Sequence, residues 1–132
     1  MSVLASARGA NQYLQTQVQS RTPLELIVML YDGAIRFIGE AREGLVQRDI
    51  ARRGRAISRA MAIISELQSS LDMEQGGDIA VSLDSLYVYV RDRLVDASIK
   101  QDVKPLDDAT RVLKNLREGW VAIAAQSPDP VR

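Results

Sequence analysis

From Thr22 to about Val46, apolar residues recur at steps of three and four without a break, and this run constrains the fold most tightly. Ile27, Leu30, Ala34, Ile38, Ala41 and Leu45 carry the stripe. That period is helical, because a half-buried strand alternates at two. Asp32-Gly33 is a strong hairpin signal, but the spacing on both sides overrides it. Gly33 then costs about 1 kcal/mol in a helix interior and calls for a packing reason. The start is equally well marked. Thr22 stands at the N-cap, Pro23 at the first helical position and Glu25 two residues on, a complete capping box. At ~1.5 Å per residue the rod is roughly 37 Å long.

The rest of the chain supplies neighbours for such a rod. Asp49 caps a second pattern, Ile50, Gly54, Ile57, Met61, Ile64 and Leu71, that ends near Asp72. Gly76-Gly77 reads as a loop, and Asp78 opens a third pattern with Ile79, Leu83, Leu86, Val90, Leu94 and Ala97 on its core face. After the break at Lys104-Pro105 come Leu106, Ala109, Leu113, Leu116, Trp120 and Ile123. A weaker stripe, Tyr13, Leu14 and Val18, marks a short helix over residues 11–19. Four long helices joined by a few residues lie as antiparallel neighbours. The predicted fold is therefore all-α, an antiparallel up-down four-helix bundle with a short additional N-terminal helix or cap. Residues 1–10 are expected to be a mobile tail, 11–125 one helical-bundle domain, and 126–132 a C-terminal tail with two prolines. A chain of 132 residues has room for one core and little else.

Several kinds of chemistry are excluded by composition. The sequence has no histidine and no cysteine, which removes Ser-His-Asp and Cys-His catalysis, nearly all zinc sites and the Glu-x-x-His di-iron bundle. No phosphate-cradling glycine motif is present. Asp92 and Asp96, and Arg36 and Glu40, lie one helical turn apart. Such pairs read as solvated helix charges. The expectation is a protein that is not an enzyme and takes no cofactor and no metal. Seventeen basic residues balance seventeen acidic ones, so no general attraction to nucleic acid or anionic lipid arises. Arg48, Arg52, Arg55 and Arg59 share a helix face, but without interleaved aromatics they read as solvent-facing. No nucleic-acid partner is expected. The longest apolar stretch, residues 26–31, is far too short for a bilayer span, and no signal-peptide core opens the chain. These features predict a cytoplasmic protein without membrane insertion.

What remains is apolar surface beyond the needs of a core. A bundle helix requires an apolar arc of about 100°, whereas the Thr22 helix has one of about 200° that takes in Leu24, Val28, Tyr31 and Ile35. On the Asp78 helix, Val81, Val88, Val95 and Ile99 stand almost opposite the core face, spaced seven, seven and four. Such a seam suits packing of one further helix. Ala56, Ala60, Ile63 and Leu67 add to the Asp49 helix. These residues could face neighbours within the bundle, a second copy in a weak homodimer, or an amphipathic helix of another protein. Tyr13, Leu14 and Val18 offer a flap over such a groove, or a helix docked as part of the core. Leu30, Ile38, Ile57, Ile64, Leu86, Val90 and Trp120 are expected to be core.

Four stretches in order resemble the flagellar chaperone family FliS. They are residues 22–35, with Thr22-Pro23 and Leu30-Tyr31-Asp32-Gly33; residues 60–67, continuing to Leu71-Asp72 and Gly76-Gly77-Asp78-Ile79-Ala80; residues 83–90, with Leu86-Tyr87-Val88-Tyr89, through Arg93-Leu94, Ala97 and Asp102; and Leu116-Arg117-Glu118-Gly119-Trp120. Tyr13 sits where the family has a tyrosine. Ser98, where asparagine is frequent, and Arg21, where a small residue is common, are departures. The resemblance implies a cytosolic bundle that binds the otherwise disordered C-terminal segment of flagellin, about one to one. It also implies that premature polymerisation is prevented and that the cargo is delivered to a component of the flagellar type III export gate. The groove is then expected at Leu24, Val28, Tyr31, Ile35, Val81, Val88, Val95 and Ile99, with Tyr13, Leu14 and Val18 as the flap. The alternative is a self-associating structural or adaptor bundle that uses the same seams.

Overall fold

The computed structural model describes residues 22–126. They form α1 (Pro23–Val46), α2 (Ile50–Ser69), α3 (Met73–Lys100) and α4 (Lys104–Gln126), joined by residues 47–49, 70–72 and 101–103. Connections this short force each helix to reverse along its predecessor. The packed pairs are α1 with α2, α2 with α3, α3 with α4 and α4 with α1, which closes the ring of an up-down bundle. The predicted fold class is the one observed. The N-terminal helix, with Tyr13, Leu14 and Val18, and both tails lie outside the described residues.

Local chemistry sets the helix ends. The Glu25 backbone N–H donates to Thr22 Oγ1 at 3.2 Å and the Thr22 hydroxyl donates to Glu25 Oε1 at 3.1 Å. Asp49 accepts from the Arg52 N–H at 3.1 Å. Asp72 accepts from the N–H groups of Glu74 and Gln75. Each carboxylate or hydroxyl satisfies amide donors that a helix N-terminus leaves open. Gly33 has the packing reason its position called for, since a Cβ there would lie 3.1 Å from Ile63 Cδ1 of α2.

The core is a continuous column that includes Ile38, Ile57, Ile64, Val90, Leu94, Leu106 and Leu113. Full burial of each aliphatic side chain is worth roughly 1.5–3 kcal/mol. Of the expected core residues, Leu30 and Trp120 are half-buried and pack against this column, and Leu86 is half-buried. Ala56, Ala60 and Leu67 are buried in the core rather than adding surface to α2.

Two expectations about α3 need correction. The helix begins one turn early, at Met73 under the Asp72 cap, and breaks at Gly77 (φ 52°, ψ −130°) before continuing. Only glycine takes that backbone conformation without strain. The expected core positions Val90, Leu94 and Ala97 are buried, but nearer the N-terminus the buried residues are Ala80 and Tyr87, one position on from the expected Ile79 and Leu86, and Ile79 is 72% exposed. Ile79 is in phase with buried Ala97, about five turns further on, and it is exposed because it stands at the mouth of the bundle just after the Gly77 break.

Candidate interaction surface

Among the described residues, nothing covers the α3 seam. Val81, Val88, Val95 and Ile99 are between 42% and 72% exposed. Two contacts fix where it lies. Gln68 of α2 donates to Asp84 at 2.8 Å and accepts from Arg91 at 3.0 Å, so Asp84 and Arg91 mark the edge of α3 that meets α2. Val88 stands 40–60° outward of that edge by helical geometry. The seam therefore runs beside the α2–α3 junction, over a span of about 27 Å from Val81 to Ile99. Gly54 of α2 is exposed, and a Cβ there would meet nothing within 4 Å. No internal packing accounts for that glycine.

The α1 part of the expected groove is different. Leu24, Val28 and Ile35 are half-buried rather than open. Their flank meets α4, across which Arg42 pairs with Asp107 at 2.9 Å and Arg117 pairs with Asp32. Tyr31 is a correction: it is fully buried, and its hydroxyl lies 2.6 Å from that of Tyr87 on the diagonally opposite helix. A polar atom so deep needs a partner, and the second tyrosine provides one. Burial raises the pKa of Tyr31, while its hydrogen bonds to Tyr87 and Trp120 oppose the shift. Burial and the bond to Tyr31 both raise Tyr87. Tyr87 was legible only as part of a motif; it lies on the core face that Val90 and Leu94 also occupy.

The two ends of the bundle differ in lining. At the end holding the α1 N-terminus and α4 C-terminus, a cavity of about 250 Å³ is walled mainly by apolar side chains, among them Ile27, Leu67, Leu71, Leu83 and Trp120, with Ile79 at its edge. At the opposite end, Leu45, Arg48, Ile50, Arg53 and Gln101 line a cavity of about 490 Å³. Among the described residues no helix is long and apolar enough to cross a membrane, and no acidic cluster has the arrangement of a metal site.

A bundle with a covered core, an open apolar seam and one apolar end has surface suited to binding, and comparison with known proteins identifies its kind. Residues 6–127 match the family described as flagellar protein FliS. The chain belongs to the FliS family. It is 36% identical to the flagellar secretion chaperone FliS of Salmonella typhimurium, over 92% of this chain and 94% of that protein. It is 34% identical to the flagellar secretion chaperone FliSB of Pseudomonas aeruginosa, over 84% and 88% respectively. The FliS of Escherichia coli K12 is 28% identical over 87% and 88%. Identity over nearly the whole of both chains makes FliS membership a property of the entire bundle, and the resemblance read from Tyr13 to Trp120 spans the same region.

Proposed function

We propose that the protein is a cytoplasmic flagellar export chaperone that binds the disordered C-terminal segment of flagellin, one to one, and supports its delivery to the type III export gate. The observation that carries this reading is the uncovered α3 seam. A monomer seldom leaves a contiguous apolar stripe to water without a partner for it. Unassembled flagellin offers the complement, since helices that pack by seams in the filament expose the same stripe beforehand. Ordering a floppy segment costs about 2–5 kcal/mol or more, and a rigid bundle supports that best by presenting a preformed track. Val81, Val88, Val95 and Ile99 form the track; Leu24, Val28 and Ile35 extend contact along the α1 flank. This role requires no chemistry beyond binding and release.

Isothermal titration with the same bacterium's flagellin, intact and shortened by its last ~40 residues, tests the reading (that length spans one or two helices at ~1.5 Å per residue). One-to-one binding is expected for the intact chain and loss on truncation. Val88→Asp with Val95→Asp should weaken binding at least ~100-fold by placing charge in an apolar contact, with melting little changed. A concentration-independent dimer by light scattering, together with indifference to flagellin, would instead assign the seam to a second copy.

A further inference from the structure

Three independent features converge on the cavity where α1 turns into α2. First, two residues there adopt the left-handed backbone conformation without being glycine: Arg48 (φ 59°) and Gln101 (φ 53°). Arg48 closes α1 in a Schellman motif, with its N–H donating to the Leu45 carbonyl at 3.2 Å and the Asp49 N–H to Gly44 at 2.7 Å. Glycine is the ordinary residue at that position. Gln101 ends α3, donating its N–H to the Ala97 carbonyl at 3.0 Å. Second, both side chains line the same cavity as Arg53. Third, Arg53 Nε is buried without a hydrogen-bond partner, an arrangement that costs free energy unless something supplies an acceptor. Neither Arg48 nor Arg53 forms an ion pair with a carboxylate of the described residues.

The rest of the cavity suits a particular anion. Leu45 and Ile50 are apolar, and Ile50 is 68% exposed. Two guanidinium groups, one amide and two aliphatic side chains match a chain-terminal carboxylate with its last aliphatic side chain better than a fully hydrated phosphate. The position joins this cavity to the seam. Ile50 and Gln68 are five helical turns apart and so share the face of α2 that meets α3. Ile99, the last seam residue, lies two positions before Gln101. A helix lying on the seam parallel to α3 therefore delivers its C-terminus here, where arginines answer both its free carboxylate and its unsatisfied terminal carbonyls.

We infer that Arg48, Arg53 and Gln101 form a carboxylate-capture site for the C-terminus of the bound flagellin helix, and that this fixes the helix parallel to α3. The inference rests on the proposed function and adds direction and register to it. The probes are two peptides of the last ~20 residues of that flagellin, about 30 Å as a helix, alike except for a C-terminal acid or carboxamide. The acid should bind the full-length protein about tenfold more tightly at low salt, the range for losing one charge-assisted hydrogen bond. Arg48→Gly and Arg53→Gln should each erase the difference. Arg48→Gly should also raise the melting temperature by roughly 3 °C, because glycine relieves the left-handed strain; a merely structural arginine would not lose binding while gaining stability. If intact flagellin binds but both peptides fail or bind equally, the capture site is overturned and the chaperone reading stands. If intact flagellin also fails to bind, both are overturned.

Discussion

The two ends of the bundle are built on opposite principles. The end at the α1 N-terminus buries two phenols against each other beneath an apolar cavity. The end at the α1–α2 turn gathers cations: Arg48 and Arg53, without carboxylate partners among the described residues, and Lys104, Arg111 and Arg93 around Asp108 at 2.7, 3.1 and 3.7 Å. The first end is held by exclusion of water and one neutral hydrogen bond. The second holds a charge network and a close helix approach, and it keeps two residues in a costly backbone conformation. Stability alone would have placed glycine at both positions. The difference teaches that the apolar end is built for the fold, whereas the cationic end keeps non-glycine residues where fold stability favours glycine, as the proposed capture site requires.

That contrast can be broken by substitution. The largest effect on stability is expected from Gly44→Ala at the cationic end. A Cβ there would stand 2.8 Å from the backbone nitrogen of Arg53. Backbone cannot swing aside as a side chain does, so α1 and α2 must separate at a cost of about 2–3 kcal/mol. Urea unfolding would measure it, and a change under 0.5 kcal/mol would show that the approach is not tight. At the apolar end, Tyr31→Phe alone strands the Tyr87 hydroxyl and should cost about 1–2 kcal/mol, with the double change to phenylalanine costing less than the sum of the two singles. Additive losses would mean the hydroxyls do not depend on each other.

The smallest effect, and the sharpest contrast, is in pH. Asp108 is held below its ordinary carboxylate pKa, first by the Lys104 hydrogen bond and then by the charges of Lys104 and Arg111, with burial opposing. A lowered folded value means stability is present above the unfolded value of 3.8 and is lost as pH falls through the lower folded one. The tyrosines act in the reverse sense. Their folded values are raised, so their contribution is full below the ordinary value of 10.0 and declines above it as the unfolded chain ionises first. Asp108→Asn should flatten the acid limb of the melting profile, and the double phenylalanine variant the alkaline limb. If each variant flattens the wrong limb, the assignment of the two ends is incorrect.

Much of this was legible before any coordinates. The capping box at Thr22, the cap at Asp49 and the glycine break at Gly77 are signals within one turn of chain, and the backbone answers them locally; the cap at Asp72 was read instead at Asp78. The seam at Val81, Val88, Val95 and Ile99 was legible for a related reason: periodicity assigns residues to faces, and a face opposite the core has no neighbour to claim it. Tyr31 was misplaced because it lies within an apolar arc of about 200°, and periodicity does not say which part of so broad an arc is covered. Ile79 was misplaced because the break at Gly77 and the end of the bundle decide what covers it.

The sequence by itself determined the helices, their order, the antiparallel ring that short connections impose, and the family. These depend on residues a few positions apart, whose spacing survives in any arrangement. Only the tertiary structure decided that Tyr31 meets Tyr87 across the core and that Gly44 admits Arg53. It alone brought Arg48, Arg53 and Gln101 to one cavity. Gln101 lies more than fifty positions from Arg48, and neither carries the glycine that announces a left-handed turn. Their meeting depends on the register in which four rods pack, which is set by the summed fit of the core and not by any local signal.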